Sequence, residues 1–550
     1  MVSLVLYFIQ VMHFDLPGSA NTLTNLMGST FMLSIVGGFI SDTYLSRFHT
    51  TLLFGSIEIM GLVLLTIQAY AKNLQPSVCG KSSCVEGGIA LIFYTSLSLL
   101  ALGSGGVRGS LTPLGADQFN QKDAKEAKAL ASYFNYSLLS ITLGAIIGVT
   151  VIVYVSTAMA WYWGFFISTV SALIGYVVLA IGKPFYRIQP VSQSPLTRIA
   201  QVIVVAFKNR KISVPENPDE LYEINEKDRV SGEERISHTN QFRWLDRAAI
   251  VSKDTEPENW KVCTVTQVEE VKILVRMLPI LGSTVIMDTC SPQLQTFSVQ
   301  QGNAMDPKLG SFKVPAPSIQ LIPLFFMAVI LPLYDMIFVP LARKITKHPS
   351  GITQLQRVGV GLVLSTTSMV VAGIIEVKRR DQSNKNILKP ISLFWLSFQY
   401  GIYGISSTFS LVGLLEFFYK EAPSGMRSLS TSFTWLSTSF GYFLSTAFVS
   451  IINSVTKRVT PSKQGWIHGQ DINKNNVNLF YWFLAIINSL NFFCYLYSAN
   501  WYKYKPENPD DAAASKSSQQ QPKSASSSSV ILESKEDEVQ ESTTEDQKTN

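Results

Sequence analysis

The sequence predicts an all-α membrane protein of two six-helix bundles, with the first helix truncated at its N-terminus. Three observations predict it. The chain of 550 residues is 47% hydrophobic and only 15% charged, its apolar residues gather in blocks of about twenty, and one long polar stretch divides those blocks into two sets. A soluble chain of this length would split into domains with well-charged surfaces, and a soluble core absorbs one such block, not a series.

Taken in order, the stretch from Met1 to Met12 is too short to span a bilayer. Full-length stretches follow at about Ala20–Ile40, Thr51–Tyr70, Gly88–Val107, Ala131–Val155 and Trp161–Ile181, and then at Val268–Thr289, Ile319–Leu341, Val358–Glu376, Ile391–Leu415, Ser430–Ile452 and Val477–Ala499. Glycines inside many of them allow close helix packing, and Pro279, Pro323 and Pro332 permit kinks. The expected organisation is a first bundle over residues 1–182, a polar connector over 183–266, a second bundle over 267–502 and a tail over 503–550. The tail is rich in Ser, Gln, Lys and Glu, a composition that favours disorder.

Basic residues orient the chain. Arg47, the Lys122–Lys128 loop, the Lys183–Lys211 stretch and Arg343, Lys344 and Lys347 share one side if the helices alternate, which makes that side cytosolic. Lys378, Arg379 and Arg380 fall on the other side, as do Lys457, Arg458 and Lys463. The net charge of +6 comes with no basic patch interleaved with aromatics on a soluble domain, so no nucleic-acid partner is expected. Of five cysteines, Cys79 and Cys84 share a short non-cytosolic loop, where a disulfide and two free thiols are both open. Cys263, Cys290 and Cys494 are scattered, and no pattern suggests a metal site. The chain lacks an HExxH helix, a nucleophile elbow and a complete P-loop, so neither an enzyme nor a cofactor is expected.

Two six-helix halves joined by a long cytosolic connector describe the major facilitator architecture, with solute bound near the midplane between the halves. Specific motifs narrow this. The run Gly37-Gly38-Phe39-Ile40-Ser41-Asp42-Thr43-Tyr44-Leu45-Ser46-Arg47-Phe48 joins two spans, and Asp42 and Arg47 can pair there in one state and release in another. Further segments are Gly105-Gly106-Val107-Arg108-Gly109-Ser110, Pro113 with Gly115-Ala116-Asp117-Gln118-Phe119, Val268-Glu269-Glu270-Val271-Lys272, Phe297-Ser298-Val299-Gln300-Gln301-Gly302 and Tyr334-Asp335. The last is Leu414-Leu415-Glu416-Phe417-Phe418-Tyr419 with Pro423 and Met426-Arg427-Ser428. From about Met1 to Tyr504 the chain resembles the plant nitrate transporter 1/peptide transporter family, a branch of the proton-coupled oligopeptide transporters. Within it, the match resembles the clade with abscisic acid and gibberellin carriers.

Departures from the family pattern shape the expected site. The family's first helix carries E-x-x-E followed by Lys or Arg, tied to proton coupling, whereas this chain begins just past that point. Arg108 stands where the resemblance implies a lysine. It keeps the charge but not the ready deprotonation, and attracting an anion and snorkelling to the cytosol are both open. Ser407 stands where many members carry a glutamate, and Ser291 where a nitrate-carrying member has a histidine. The expected substrate site is therefore Arg108, Ser291 and Ser407, with Phe31, Phe134, Phe409 and Trp435 as candidate lining. Glu58 and Asp288, acids inside spans, are the candidates for proton coupling. Thr50, three residues after Arg47, resembles a regulated threonine of a nitrate-carrying relative, which implies a kinase as partner; a helix-capping role is its alternative.

A pocket that keeps a cation and loses an acid suits a small organic acid, such as a plant hormone, carried with protons. The alternatives are a nitrate or di/tripeptide carrier, and a non-transporting receptor or inactive truncated isoform. The expected membrane is the plasma membrane rather than the vacuolar one.

Overall fold

The computed structural model describes residues 4–14, 16–77, 84–120, 123–189, 195–215, 217, 220–224, 236–251, 260–309, 312–314, 316–346, 351–386, 389–459, 465–467 and 472–504. The helices among them lie in one compact unit, Met1–Pro506. The 503–550 tail lies, from residue 505 on, outside the described residues.

Before the connector come α1 (Leu4–Gln10), α2 (Leu16–Met32), α3 (Ser34–Thr43), α4 (Arg47–Tyr70), α5 (Gly87–Ala116), α6 (Ala124–Ile147), α7 (Val153–Ala158) and α8 (Trp161–Ile181). The connector holds α9 (Pro195–Lys208) and a 3₁₀ segment, Arg243–Ala249. After it come α10 (Val265–Asp288), α11 (Cys290–Gln295), α12 (Phe297–Asn303), α13 (Leu321–Leu333), α14 (Val339–Thr346), α15 (Gln354–Lys385), α16 (Leu396–Glu421), α17 (Arg427–Val459) and α18 (Val477–Trp501). Among the described residues, 11 helical segments are long and apolar enough to cross a membrane, and they coincide in order with the apolar stretches of the sequence. The only strands there form a two-residue antiparallel ribbon, Lys308–Leu309 against Phe312–Lys313.

The pattern of exposure is that of a protein in lipid. On α8 only Gly164 is fully buried, while Phe166, Val170, Leu173, Ile174 and Val178 face outward. On α17 the inward side is polar, with Ser428, Ser430, Ser432, Ser437 and Ser439 all buried. Apolar outside and small polar residues at helix contacts is the arrangement that packs helices in a bilayer. Helix ends follow local chemistry. Thr264 with Gln267 and Thr353 with Gln356 form capping boxes at α10 and α15. Pro332 lacks an N–H and is followed at once by a π-turn, Tyr334–Phe338, before α14 resumes.

The connector is built into the second half. Val202, Val205 and Ala206 of α9 pack with Leu245, Ala248 and Ala249 and with Val265, Val268 and Val271 of α10. Beneath them lies a buried charge cluster. The Lys272 ammonium sits 2.6 Å from Asp246 and 2.7 Å from Glu269, which also receives Thr239 N–H and O–H at 2.8 and 2.7 Å. His238 lies 3.0 Å from Asp246. In this cluster the Lys272 ammonium is the cation shared by the Asp246 and Glu269 carboxylates.

Three of the cations that disagreed with the orientation, Lys378, Arg379 and Arg380, have local partners. Arg379 is buried and grips Glu376 through two bonds of 2.7 and 2.8 Å. Arg380 donates to Asn476 at 2.7 Å, and the Lys378 ammonium lies 3.4 Å from the centre of the Trp395 ring. Charges spent on such contacts report little about sidedness. Cys84 is disulfide-bonded; Cys79 lies outside the described residues, and Cys263, Cys290 and Cys494 are free.

Candidate transport site and gate

Two polar assemblies join the halves. The first lies on the face where α3 turns into α4. Arg47 donates to Asp42 at 3.1 Å and to Ser428 at 2.6 Å, and it pairs closely with Asp117 at the end of α5. Tyr419 of α16 donates to Asp117 at 2.8 Å. Asp42 also accepts the Leu429 backbone N–H at 2.8 Å, so its carboxylate caps the first turn of α17, where the helix dipole favours a negative charge. A Cβ at Gly38 would stand 2.7 Å from the Ser428 carbonyl, so only glycine lets α3 and α17 meet this closely. The pairing of Asp42 with Arg47 read from the loop is present, but it is part of a cluster drawn from five helices.

A second lock lies on the same face. Asp335, in the π-turn, accepts from Ser132 and Asn135 of α6, each at 3.0 Å. Arg357 of α15 donates to Asn135 at 2.7 Å, stacks 4.0 Å over the Tyr334 ring and lies 3.8 Å from Glu416. Tyr334-Asp335 was legible only as a motif; its partners on α6 carried no signal in the sequence.

Deeper in the molecule, Phe31 of α2 and Trp435 of α17 stack with planes 8° apart and centroids 5.8 Å apart. The Arg108 guanidinium lies 5.2 Å from the first ring and 5.1 Å from the second. Arg108 makes no hydrogen bond or ion pair to a protein group among the described residues, and its buried Nε has no acceptor. Glu58 of α4 is bonded by Ser104 and acts on Arg108 through space, without an ion pair between them. The α4 and α5 backbones meet there because a Cβ at Gly103 would strike the Glu58 Cβ at 2.6 Å.

Asp288, at the end of α10, accepts from Ser437 at 2.9 Å and from Thr438 at 3.4 Å. Ser291 and Ser407 both reach Tyr403, and Tyr442 reaches Ser291 and donates to Gln295 at 3.0 Å. The two serines of the expected site therefore lie beside one tyrosine, and Tyr442, beside Ser291, packs 5.8 Å from the Phe31 ring that Arg108 faces. Tyr403, Tyr442 and Gln295 are the residues that sequence reading missed. Their signal was helical spacing, with Tyr403 four before Ser407 and Gln295 four after Ser291. Of the four candidate lining aromatics, Phe31 and Trp435 flank Arg108. Phe134 is instead core packing against Tyr133 and Tyr419, and Phe409 packs edge-on against Tyr334.

The capping role open to Thr50 falls to another residue. The N-cap of α4 is Ser46, whose side chain accepts from the His49 N–H. Thr50 is fully buried, with its hydroxyl 3.5 Å from the Leu45 carbonyl, so a kinase reaches it only after the α3–α4 corner opens.

Fold, outward-facing apolar helices and a cation between two polar-linked halves define a multi-pass membrane transporter of the major facilitator class. The chain belongs to the POT family: residues 48–467 match the family described as PTR2, POT family. It is 42% identical over 508 residues to Protein NRT1/PTR FAMILY 4.3 of Arabidopsis thaliana, covering 91% of this chain and 86% of that one. It is likewise 42% identical over 514 residues to Protein NRT1/PTR FAMILY 4.4 of the same plant, covering 92% and 84%. Among solved structures, an auto-inhibited POT family peptide transporter shares the fold with a TM-score of 0.63 at 19% identity, covering 92% of this chain and 95% of that one. A POT family transporter in complex with 5-aminolevulinic acid aligns with a TM-score of 0.58 at 13% identity, covering 91% and 93%. Members of this family are transporters rather than enzymes.

Proposed function

We propose that the protein is a proton-driven carrier of a small organic acid with an apolar body. The observation that carries this reading is Arg108, a guanidinium beside two stacked aromatic rings and without a protein acceptor among the described residues. A carboxylate supplies the missing acceptor, and the rings take the apolar body beside it. Ser291, Ser407, Tyr403 and Tyr442 offer neutral hydroxyls, which orient polar groups without demanding a substrate amine. A zwitterionic peptide finds no acid at position 407 to hold its amino terminus.

Asp288 takes the proton in this reading, because its side-chain partners among the described residues are hydroxyls, while Glu58 faces a cation. The cytosol is the Arg47 face, and the plasma membrane is the site of action. The test is uptake by cells or proteoliposomes of an aromatic or terpenoid carboxylic acid against its neutral amide. The acid is taken up and the amide is not; equal uptake of both removes the carboxylate from recognition. Separately, Asp288→Asn is expected to abolish the stimulation of uptake by an inward proton gradient while leaving gradient-free exchange measurable. Unaltered stimulation in that variant would assign the proton elsewhere.

A further inference from the structure

We infer that α9 and the turn after it dock on anionic phospholipid headgroups of the leaflet at the Arg47 face. From residue 183 to 211 the chain carries Lys183, Arg187, Arg198, Lys208, Arg210 and Lys211 and not one acid. Two of these cations are engaged within the protein. Arg198 is buried 3.3 Å from Glu270, and Arg187 lies 3.1 Å from Glu126. Lys208, Arg210 and Lys211 are exposed and pair with no acid among the described residues.

The helix is apolar on two sides. Its inner side, Val202, Val205 and Ala206, covers the connector core. A helix whose other side met only water would be polar there. Instead Ile203 is 44% exposed, Val204 38% and Phe207 66%, and the Arg210 guanidinium lies 4.8 Å from the centre of the Phe207 ring. An apolar edge rimmed by cations is the chemistry of a helix lying in a membrane interface, with rings toward the acyl boundary and charges on phosphates. The level fits. The inner side rests on Val265, Val268 and Val271, in the first turns of α10, just before its apolar crossing run, and Ile199 packs against the cluster of Ile273 and Leu274. Charge complementarity selects anionic lipid over zwitterionic lipid, and the apolar edge selects a bilayer over a soluble acidic partner.

The experiment is native mass spectrometry of the purified full chain titrated with phosphatidylserine and phosphatidylcholine. The wild type is expected to retain phosphatidylserine preferentially. The triple variant Lys208→Gln, Arg210→Gln, Lys211→Gln weakens that retention by about fivefold for each charge removed. Phe207→Ser, at an exposed position, weakens retention of both lipids. The opposite-face triple Lys72→Gln, Lys457→Gln, Arg458→Gln, which removes the same charge, leaves retention unchanged. Equal retention in the connector triple and the wild type overturns the inference. So does equal loss in the opposite-face triple, or displacement of the lipid by inorganic phosphate or by a soluble acidic peptide.

Discussion

Arg108→Ala is expected to lower kcat/KM for an acidic substrate by on the order of a hundredfold, the effect of truncating one partner of a desolvated charge pair. Folding should survive, because Arg108 makes no hydrogen bond or ion pair among the described residues, and Glu58, which it faces through space, keeps its bond from Ser104. The rings of Phe31 and Trp435 remain stacked on each other without it. Arg108→Lys keeps the charge but not the planar contact with the rings, so it should recover most of the rate and less of the affinity. Arg108→Gln offers a donor without charge and should resemble Ala. The measurement is concentration-dependent uptake at matched amounts of protein in the membrane. Normal kinetics in the Ala variant would take the arginine out of recognition altogether.

Arg47→Ala is expected to move the protein toward the state open on the Arg47 face. In the wild type, Arg47 neutralises Asp42 and Asp117, both buried, and donates to Ser428 across the halves. Removing it leaves two buried carboxylates without their counter-ion, a loss of about 3–5 kcal/mol in comparable buried pairs. Opening that face rehydrates both acids, so the cost falls on the closed state alone and shifts the equilibrium by on the order of a hundredfold or more. The readout is the rate at which a water-soluble maleimide labels Ser432→Cys, a position buried where α17 meets Ser34 of α3, after subtracting labelling of the parent cysteines. Faster labelling in the Arg47→Ala background is the expected result. The same rate in both backgrounds would mean that the second lock, Asn135 with Asp335 and Arg357, suffices to hold the face shut.

The spans were legible because lipid imposes a uniform demand on composition, and α8 shows it, with only Gly164 buried and Phe166, Val170, Leu173, Ile174 and Val178 exposed. The gate was legible only in fragments. Asp42, Asp117, Tyr419 and Ser428 each sat in a recognisable motif, but the bonds that unite them cross 381 residues from Arg47 to Ser428 and 302 from Tyr419 to Asp117. No periodicity reports such a pairing. Arg108 stood out because a cation inside a span is costly. Its neighbours did not, since Phe31 and Trp435 look like Phe134 and Phe409 in a row of aromatic-rich helices, and only the packing separates ring pairs that hold a guanidinium from rings that fill the core.

The attachment of the connector sets where the chain can be divided. By composition the polar stretch is a tether belonging to neither bundle. By contact, α9 and the Arg243–Ala249 segment belong to the second bundle, through the Val202 side of α9 and the Lys272 ammonium shared by Asp246 and Glu269. A transporter expressed as two separate polypeptides should therefore reassemble when the break comes after Ile188, since α9 and Asp246, which pack on α10, then travel with it on the second piece. A break after Val251 puts α9 and Asp246 on the other piece and leaves Lys272 and the Val268 side of α10 uncovered until the two meet, so that piece should be the one degraded when made alone.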